Sequence, residues 1–289
     1  MGSLTLHRLG FGTMQLTGPG VWGPPRDHDA AIAILRRAID LGVEFVDTAD
    51  SYGPSVSEEL VREALYPYPK QLKIATKAGL TRPGPDKWVP RGNPEYLREQ
   101  CEGSLRRLGV DQIDLFQLHR IDPDVPAEAQ FELLKDLHDE GKVAEVGLSQ
   151  ATVFQVAAAR QLLPIVSVQN EYNLANRGAE EVLDYCQQEG IAFIPAFPLA
   201  SGKLSQPWGP LGGIAQELGA TPTQVSLAWL LRRSPVMLPI PGTSSISHVE
   251  ENCAAADITL TDKQFQKLTK ARLSSRWAAG RVRIPRGKS

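Results

Sequence analysis

The sequence predicts an α/β fold of the (β/α)8 TIM-barrel type, and three observations predict it. Strand-like and helix-like runs alternate along nearly all of the 289 residues, and eight such pairs can be counted. No Gly-x-Gly-x-x-Gly turn follows the first strand, so the usual mark of the rival doubly wound sheet is missing. Reactive polar residues close several of the apolar runs, and the carboxyl ends of barrel strands are where such enzymes keep their chemistry. No composition break or Pro/Gly/Ser-rich linker divides the chain, so one domain over residues 1–289 is expected.

The elements follow in order. The first strand spans 9–14. Helix one covers 29–41, with Gly42 placed to stop it. Strand two is 43–47, helix two 57–65 and strand three 72–77. Asn93-Pro94 reads as a cap followed by proline in the first turn, and opens a helix carrying Leu97, Cys101, Leu105 and Leu108 at helical spacing. Strand four is 113–118. The helix over 127–140, stopped by Gly141, leads to strand 143–148. A helix near 153–162 leads to strand 165–169, and one over 179–189, stopped by Gly190, leads to strand 191–195. Thr221-Pro222-Thr223-Gln224 is a capping box with proline in the first helical position. Its helix precedes strand 236–240, and a last helix covers 248–256. The proline- and glycine-rich stretches 81–92 and 199–213 both follow strands, and read as loops over the active-site face.

Composition narrows the partners. Apolar content of 42% supplies a substantial core, and a net charge of −2 without blocks of like charge argues against a nucleic-acid partner. No signal-like or bilayer-length apolar run is present, so neither export nor a membrane is expected. Cys101, Cys186 and Cys253 are odd in number and lack metal-ligand spacing. Reduced core thiols, no metal and a cytoplasmic location are the expectation.

Four strand-end residues carry the chemistry. Asp47 closes 43–47, Lys77 closes 72–77, His119 closes 115–119, and Tyr52 follows Asp47 in the next loop. Together they form one device: a phenol acid, a lysine that lowers its pKa, a carboxylate that holds the lysine, and an imidazole that orients a carbonyl. A free phenol titrates at about 10, and a neighbouring ammonium favours phenolate. Buried lysine needs a partner, and Asp47 can be that partner. This reading makes the chain an enzyme acting on C=O or CH–OH groups, with a small-molecule carbonyl substrate. A lone histidine at a strand end is otherwise an ordinary core residue.

The stretch Asp47-Thr48-Ala49-Asp50-Ser51-Tyr52-Gly53 closely resembles the signature of the aldo-keto reductase superfamily. Ala75-Thr76-Lys77, Leu118-His119, and Ile240-Pro241-Gly242-Thr243 followed by Glu251-Asn252 agree with it in order and position. The segments at 18–26, 168–173 and 240–245 look most like the bacterial branch that includes pyridoxal reductases. The resemblance covers nearly the whole chain. It implies a barrel that binds NADP(H) in an extended pose and reduces aldehydes or ketones. It also implies that Tyr52 is the general acid and that His119 hydrogen-bonds the substrate carbonyl.

Cofactor positions carry over from the same resemblance. Gly12, Thr13 and Met14, together with Asp47, fall at the first strand ends of the cofactor site. Ser149 and Gln169 match the residues that hold the nicotinamide carboxamide, and Gln150 stands where many members have Asn. Phe197 matches the aromatic that stacks on the nicotinamide. Pro198, Leu199, Gly202 and Leu204 match the loop over the pyrophosphate. Gly242, Thr243, Ser244, Ser245 and His248 match the adenosine 2′-phosphate site, although many members have Lys or Arg at 242 and 248. Glu251 and Asn252 match the adenine contacts. NADP(H) is therefore expected, with NAD(H) at lower affinity. Trp22 and Trp88 are candidate substrate walls beside Tyr52 and His119, and Arg281, Arg283 and Arg286 either meet an anionic substrate or are solvated. A nucleotide-binding regulatory subunit, like the potassium-channel β subunits of the superfamily, is the alternative. A lyase or isomerase with Lys77 as a Schiff base is a second rival. The oligomeric state is not readable from the sequence.

Overall fold

A computed structural model describes residues 8–271. Seven parallel strands form one sheet in chain order: β1 (Phe11–Gly12), β2 (Phe45–Asp47), β3 (Lys73–Ala78), β6 (Ile113–Leu118), β7 (Val143–Ser149), β8 (Ser167–Glu171) and β9 (Ala192–Ala196). The expected eighth strand is present as an incomplete ladder. On one side Phe193 N–H donates to Val236 O (2.8 Å) and Leu238 N–H to Phe193 O (2.9 Å). On the other, Gly10 N–H donates to Pro239 O at 2.9 Å, so residues 236–241 close the sheet into a barrel. Pro235, Pro239 and Pro241 lack N–H groups, and the full hydrogen-bond pattern of a strand cannot form there.

Helices α1 (His28–Asp40), α2 (Val56–Leu65), α3 (Pro94–Leu108), α4 (Ala127–Asp139), α5 (Val153–Ala159), α6 (Glu180–Glu189), α7 (Gly209–Leu218), α8 (Pro222–Arg233), α9 (Ile246–Ala254) and α10 (Asp262–Lys270) surround the barrel. The expected stops hold: Gly42 and Gly190 take φ of +86° and +68° past their helices. The capping box at Thr221 forms with Gln224, and Thr152 with Gln155 makes another at α5. Helix α5 ends three residues before the expected 162. Gln161 and Leu162 bond back only to Ala158 and Ala159 in a tightened turn, and Pro164 bars continuation.

Two stretches read as loops are ordered differently. Residues 80–90 form an antiparallel hairpin, β4 (Leu80–Gly84) with β5 (Lys87–Pro90). Its prolines are tolerated because each strand has a free edge. Residues 209–218 form α7, and α10 lies beyond the last expected helix.

The barrel interior is filled at its lower level by Phe45, Ala75, Leu115, Ile194, Leu238 and Ile240. Two residues further along their strands, on the same inward face, stand Asp47, Lys77 and Gln117. A larger apolar shell, including Phe116, Leu118, Val146, Leu148, Leu134 and Leu137, joins the sheet to the helices. No helix among the described residues is long and apolar enough to cross a membrane.

Candidate active site

Asp47 is the hub at the carboxyl end of the barrel. It is 2% exposed and collects three donors from three other strands. Lys77 Nζ donates to its Oδ2 at 2.6 Å, while Gln169 and Gln117 donate through Nε2 to its Oδ1 at 3.0 and 3.3 Å. Lys77 is fully buried, and its ammonium also donates to Thr48 O (2.8 Å) and to the Tyr52 hydroxyl (3.4 Å). Its three N–H groups are thereby all used. The loop after β2 runs along β3, with Thr48 N–H on Ala75 O and Asp50 N–H on Lys77 O. That pairing carries Tyr52 over Lys77.

His119 stands beyond β6, with its N–H on Ala78 O. Its ring meets Tyr52 edge-on at 5.8 Å between centroids, and Trp88 packs on both at 6.2 Å. Ser51 Oγ lies 3.2 Å from His119 Nδ1. Burial holds the imidazole well below its ordinary pKa, and the cations Lys77, Arg120 and Arg82 push the same way. The ring is neutral, and the tautomer that leaves an N–H for the cavity carries its proton on Nε2, with Nδ1 accepting from the Ser51 hydroxyl.

The phenol departs from the sequence-based expectation. Burial raises the Tyr52 pKa; Lys77 pulls it down as anticipated, Asp47 raises it, and the net direction is upward. Burial also pulls the Lys77 ammonium down, but Asp47 and Tyr52 outweigh it and its pKa stands above the ordinary lysine value. Tyr52 is therefore a protonated phenol and Lys77 a charged lysine.

A cavity of about 700 Å³ starts at Tyr52 and His119 and runs to the first turn of α9. Of the residues singled out in the sequence, Gly12, Met14, Asp47, Ser149, Gln150, Gln169, Phe197, Pro198, Leu199, Gly202, Gly242, Thr243, Ser244, His248, Glu251, Asn252 and Trp88 line it. Thr13, Lys77 and Leu204 lie behind that wall. Thr13 spends its hydroxyl on Asp47 O and Ser57 Oγ, and Leu204 is fully buried. Ser245 stands outside the lining at the N-cap position of α9, without a side-chain capping bond, and its hydroxyl contacts that of Ser247. Trp22 also stands outside the wall, 36% exposed. Arg281, Arg283 and Arg286 lie outside the described residues.

Two observations test whether the far end fits a nucleotide. A Cβ on Gly12 would meet Ile240 O at 2.7 Å and one on Gly242 would meet Gly12 O at 2.4 Å, so the cleft floor is bare backbone. The buried Oδ1 of Asn252 has no partner within the protein, which leaves an acceptor at the cavity wall. The first turns of α8 (Thr221, Pro222, Thr223) and of α9 face the same space, and helix N-termini favour anions.

Sequence reasoning missed several site residues. Gln117 precedes His119 by two residues on one strand, so strand parity could have placed it inside. Arg82 had no local signal. It fastens the hairpin over the site by donating to the carbonyls of Gly20, Val21, Ser51 and Lys87, with its guanidinium 3.6 Å over the Trp88 ring. Gln15, Leu80, Arg120, Ser201 and Thr221 through Thr223 complete much of the remaining wall.

Comparison with known proteins agrees with this geometry. The sequence model of the aldo/keto reductase family matches residues 8–272. An uncharacterized oxidoreductase of Schizosaccharomyces pombe is 54% identical, with 93% of this chain and 87% of the relative covered. The pyridoxine 4-dehydrogenase of Escherichia coli is 45% identical, with 93% and 96% covered. An aldo-keto reductase from Klebsiella pneumoniae, solved in complex with NADPH, superposes with a TM-score of 0.77 at 29% identity, over 91% of this chain and 90% of that one.

Proposed function

The chain belongs to the aldo/keto reductase family, and from that premise we propose that Tyr52 protonates the carbonyl oxygen of a small aldehyde of the pyridoxal type during NADPH-dependent reduction. The enzyme class is that of the family, an NADP-dependent oxidoreductase acting on C=O and CH–OH groups. The observation that carries the residue roles is the buried Asp47–Lys77 pair leading to Tyr52, which meets a neutral His119 edge-on at the cavity wall. The 45% identical pyridoxine 4-dehydrogenase supports the substrate type, because oxidation of pyridoxine at its 4-position is pyridoxal reduction run backwards.

When bound, the cofactor supplies the hydride. Ser149 and Gln169 would hold its carboxamide and Phe197 would stack on its ring. The loop through Pro198, Leu199, Gly202 and Leu204 would cover the pyrophosphate. Thr243, Ser244, Ser245 and the α9 N-terminus would take the 2′-phosphate, and Glu251 and Asn252 the adenine. His119 Nε2–H orients the substrate oxygen and stabilises its developing charge. Tyr52 gives that oxygen its proton. The Lys77 ammonium stabilises the phenolate that remains, and Asp47 fixes the ammonium in place. NADPH binds more tightly than NADH, by a modest margin because no Lys or Arg stands at 242 or 248.

A panel of aldehydes and ketones that includes pyridoxal, followed by NADPH consumption and product identification, tests this reading. Steady reduction of pyridoxal ahead of generic aldehydes is the expected result. NADPH binding without turnover of any carbonyl would overturn it.

A further inference from the structure

Arg120 has no function in the scheme above, and its surroundings are unusual. It follows His119 directly and lines the same cavity. The guanidinium is half-buried, its Nε is fully buried without a hydrogen-bond partner, and among the described residues no carboxylate pairs with it. Arg82, the other arginine of the site, contrasts with it: Nε and both terminal nitrogens of Arg82 are spent on backbone carbonyls. A buried N–H left unmade costs about 1–3 kcal/mol, and more on a charged group. An arginine kept in that state beside a reaction centre is a receptor for something that arrives.

The local field agrees. The charged groups that act on His119 are Lys77, Arg120 and Arg82, all cationic. Lys77 is neutralised by Asp47 and Arg82 is shielded beneath Trp88. Of the other acids that line the cavity, Asp86 is exposed at the tip of the β4–β5 hairpin and Glu251 stands at the far end on α9, bonded to Thr221. The space beside the carbonyl-orienting imidazole is therefore electropositive, and Arg120 is its unspent donor.

We propose that Arg120 selects the substrate: it binds an ionised oxygen, carboxylate or phenolate, carried on the same small molecule as the reacting carbonyl. This deepens the reductase reading and rests on it. It is also consistent with a pyridoxal-type substrate, whose phenolic hydroxyl next to the aldehyde ionises readily. Arg120 makes no contact with the reacting atoms in this scheme, so it is a specificity residue and not part of the acid–base chain.

The test pairs each anionic aldehyde with a neutral counterpart of similar size. Suitable pairs are 3- and 4-carboxybenzaldehyde with their methyl esters, and 5-nitrosalicylaldehyde with its methyl ether, with the alcohols quantified by chromatography. Wild type is expected to prefer the anion in at least one pair, and the position of that anion reports where the guanidinium reaches. Arg120→Met should lower the anion-to-neutral ratio of kcat/KM roughly ten- to a hundred-fold, mainly through KM. Arg120→Lys should restore part of it. A wild-type ratio near one in every pair would overturn the proposal, and so would an Arg120→Met variant that slows both partners of each pair alike. If no aldehyde is reduced, the reductase reading fails by itself. Calorimetric binding of the same acid and ester to the NADPH-saturated protein, wild type against Arg120→Met, then still decides the anion preference.

Discussion

Replacing Lys77 by methionine should separate the two tasks of the buried ion pair. The side chains are similar in length, so packing is nearly kept. The ammonium and its three bonds, to Asp47, Thr48 O and Tyr52, disappear. Removing one partner of a buried pair costs about 3–5 kcal/mol, because the other charge stays behind. Asp47 would retain the amide donors of Gln117 and Gln169, which places the loss near the lower end, about 3 kcal/mol. For a chain of this size that corresponds to a fall in Tm of about 6–12 °C. Activity should fall further than stability suggests. With Lys77 gone, burial and Asp47 both raise the Tyr52 pKa unopposed, and nothing stabilises the phenolate. A rate loss of about 10²–10⁴-fold, the worth of general acid catalysis, is expected. The double variant Lys77→Met/Asp47→Asn removes the orphaned charge, so it should recover most of the lost Tm and none of the turnover. Thermal melts and NADPH-linked turnover of the three variants complete the cycle. Near-wild-type kcat in Lys77→Met, or a double variant less stable than the single one, would refute the reasoning.

Other outcomes follow from the same geometry. Tyr52→Phe should lose about 10²–10⁴-fold in kcat while NADPH affinity, read by cofactor fluorescence, stays close to wild type; a mutant within a few-fold of wild-type kcat would remove Tyr52 as the acid. His248→Arg should tighten NADPH over NADH by about tenfold, since a guanidinium there can make charge-assisted bonds to phosphate from an exposed position. Titrating both nucleotides checks it, and equal affinities in both proteins would detach this segment from the 2′-phosphate. His119, whose folded pKa is depressed by burial, should make the protein lose stability as pH falls below the unfolded-state value of about 6.5, because only the unfolded chain then takes up the proton. The slope is at most about 1.4 kcal/mol per pH unit. Asp50 acts in the opposite sense: burial raises its carboxyl pKa, so its contribution is lost as pH rises past about 4. Denaturant melts of wild type and His119→Asn between pH 7 and 5 isolate the histidine effect, and parallel curves would contradict it.

Much of this site was legible because its members sit at strand ends, where periodicity and residue type coincide. Asp47, Lys77 and His119 each close an apolar run, and the structure brings all three to one end of the barrel. Helix starts were legible for a similar reason: a capping box such as Thr221 with Gln224 is a contact within four residues. Elements read incorrectly were those in which composition and tertiary context disagree. The stretch 80–90 is proline-rich and looks like a loop, yet Arg82, stacked on Trp88 and bonded to carbonyls around residue 20, holds it as a hairpin. The closing segment 236–241 looks like a strand, yet its prolines leave only part of a ladder.

What escaped the sequence is which residues meet across the chain: Gln169 was expected at the cofactor and not at Asp47, and Gln117 was not expected in the site. Gln169 reaches Asp47 across 122 residues and Gln117 across 70, and no local window contains both ends of such a bond. The carboxylate consequently looked, in the sequence, like the partner of one lysine, whereas in the barrel it is shared among three donors on three strands. That difference matters for the chemistry. With a single partner, an Asp47–Lys77 pair could slide along its own long side chain. With Gln117 and Gln169 fixing Oδ1, the remaining oxygen has one direction in which to hold the ammonium, and that direction points Lys77 at the Tyr52 hydroxyl. In the proposed scheme the glutamines are therefore positioning residues for Tyr52. Gln117→Leu should accordingly lower kcat more than it raises KM for the carbonyl, with NADPH affinity little changed; steady-state kinetics showing a pure KM effect would place Gln117 outside the proton-donating device.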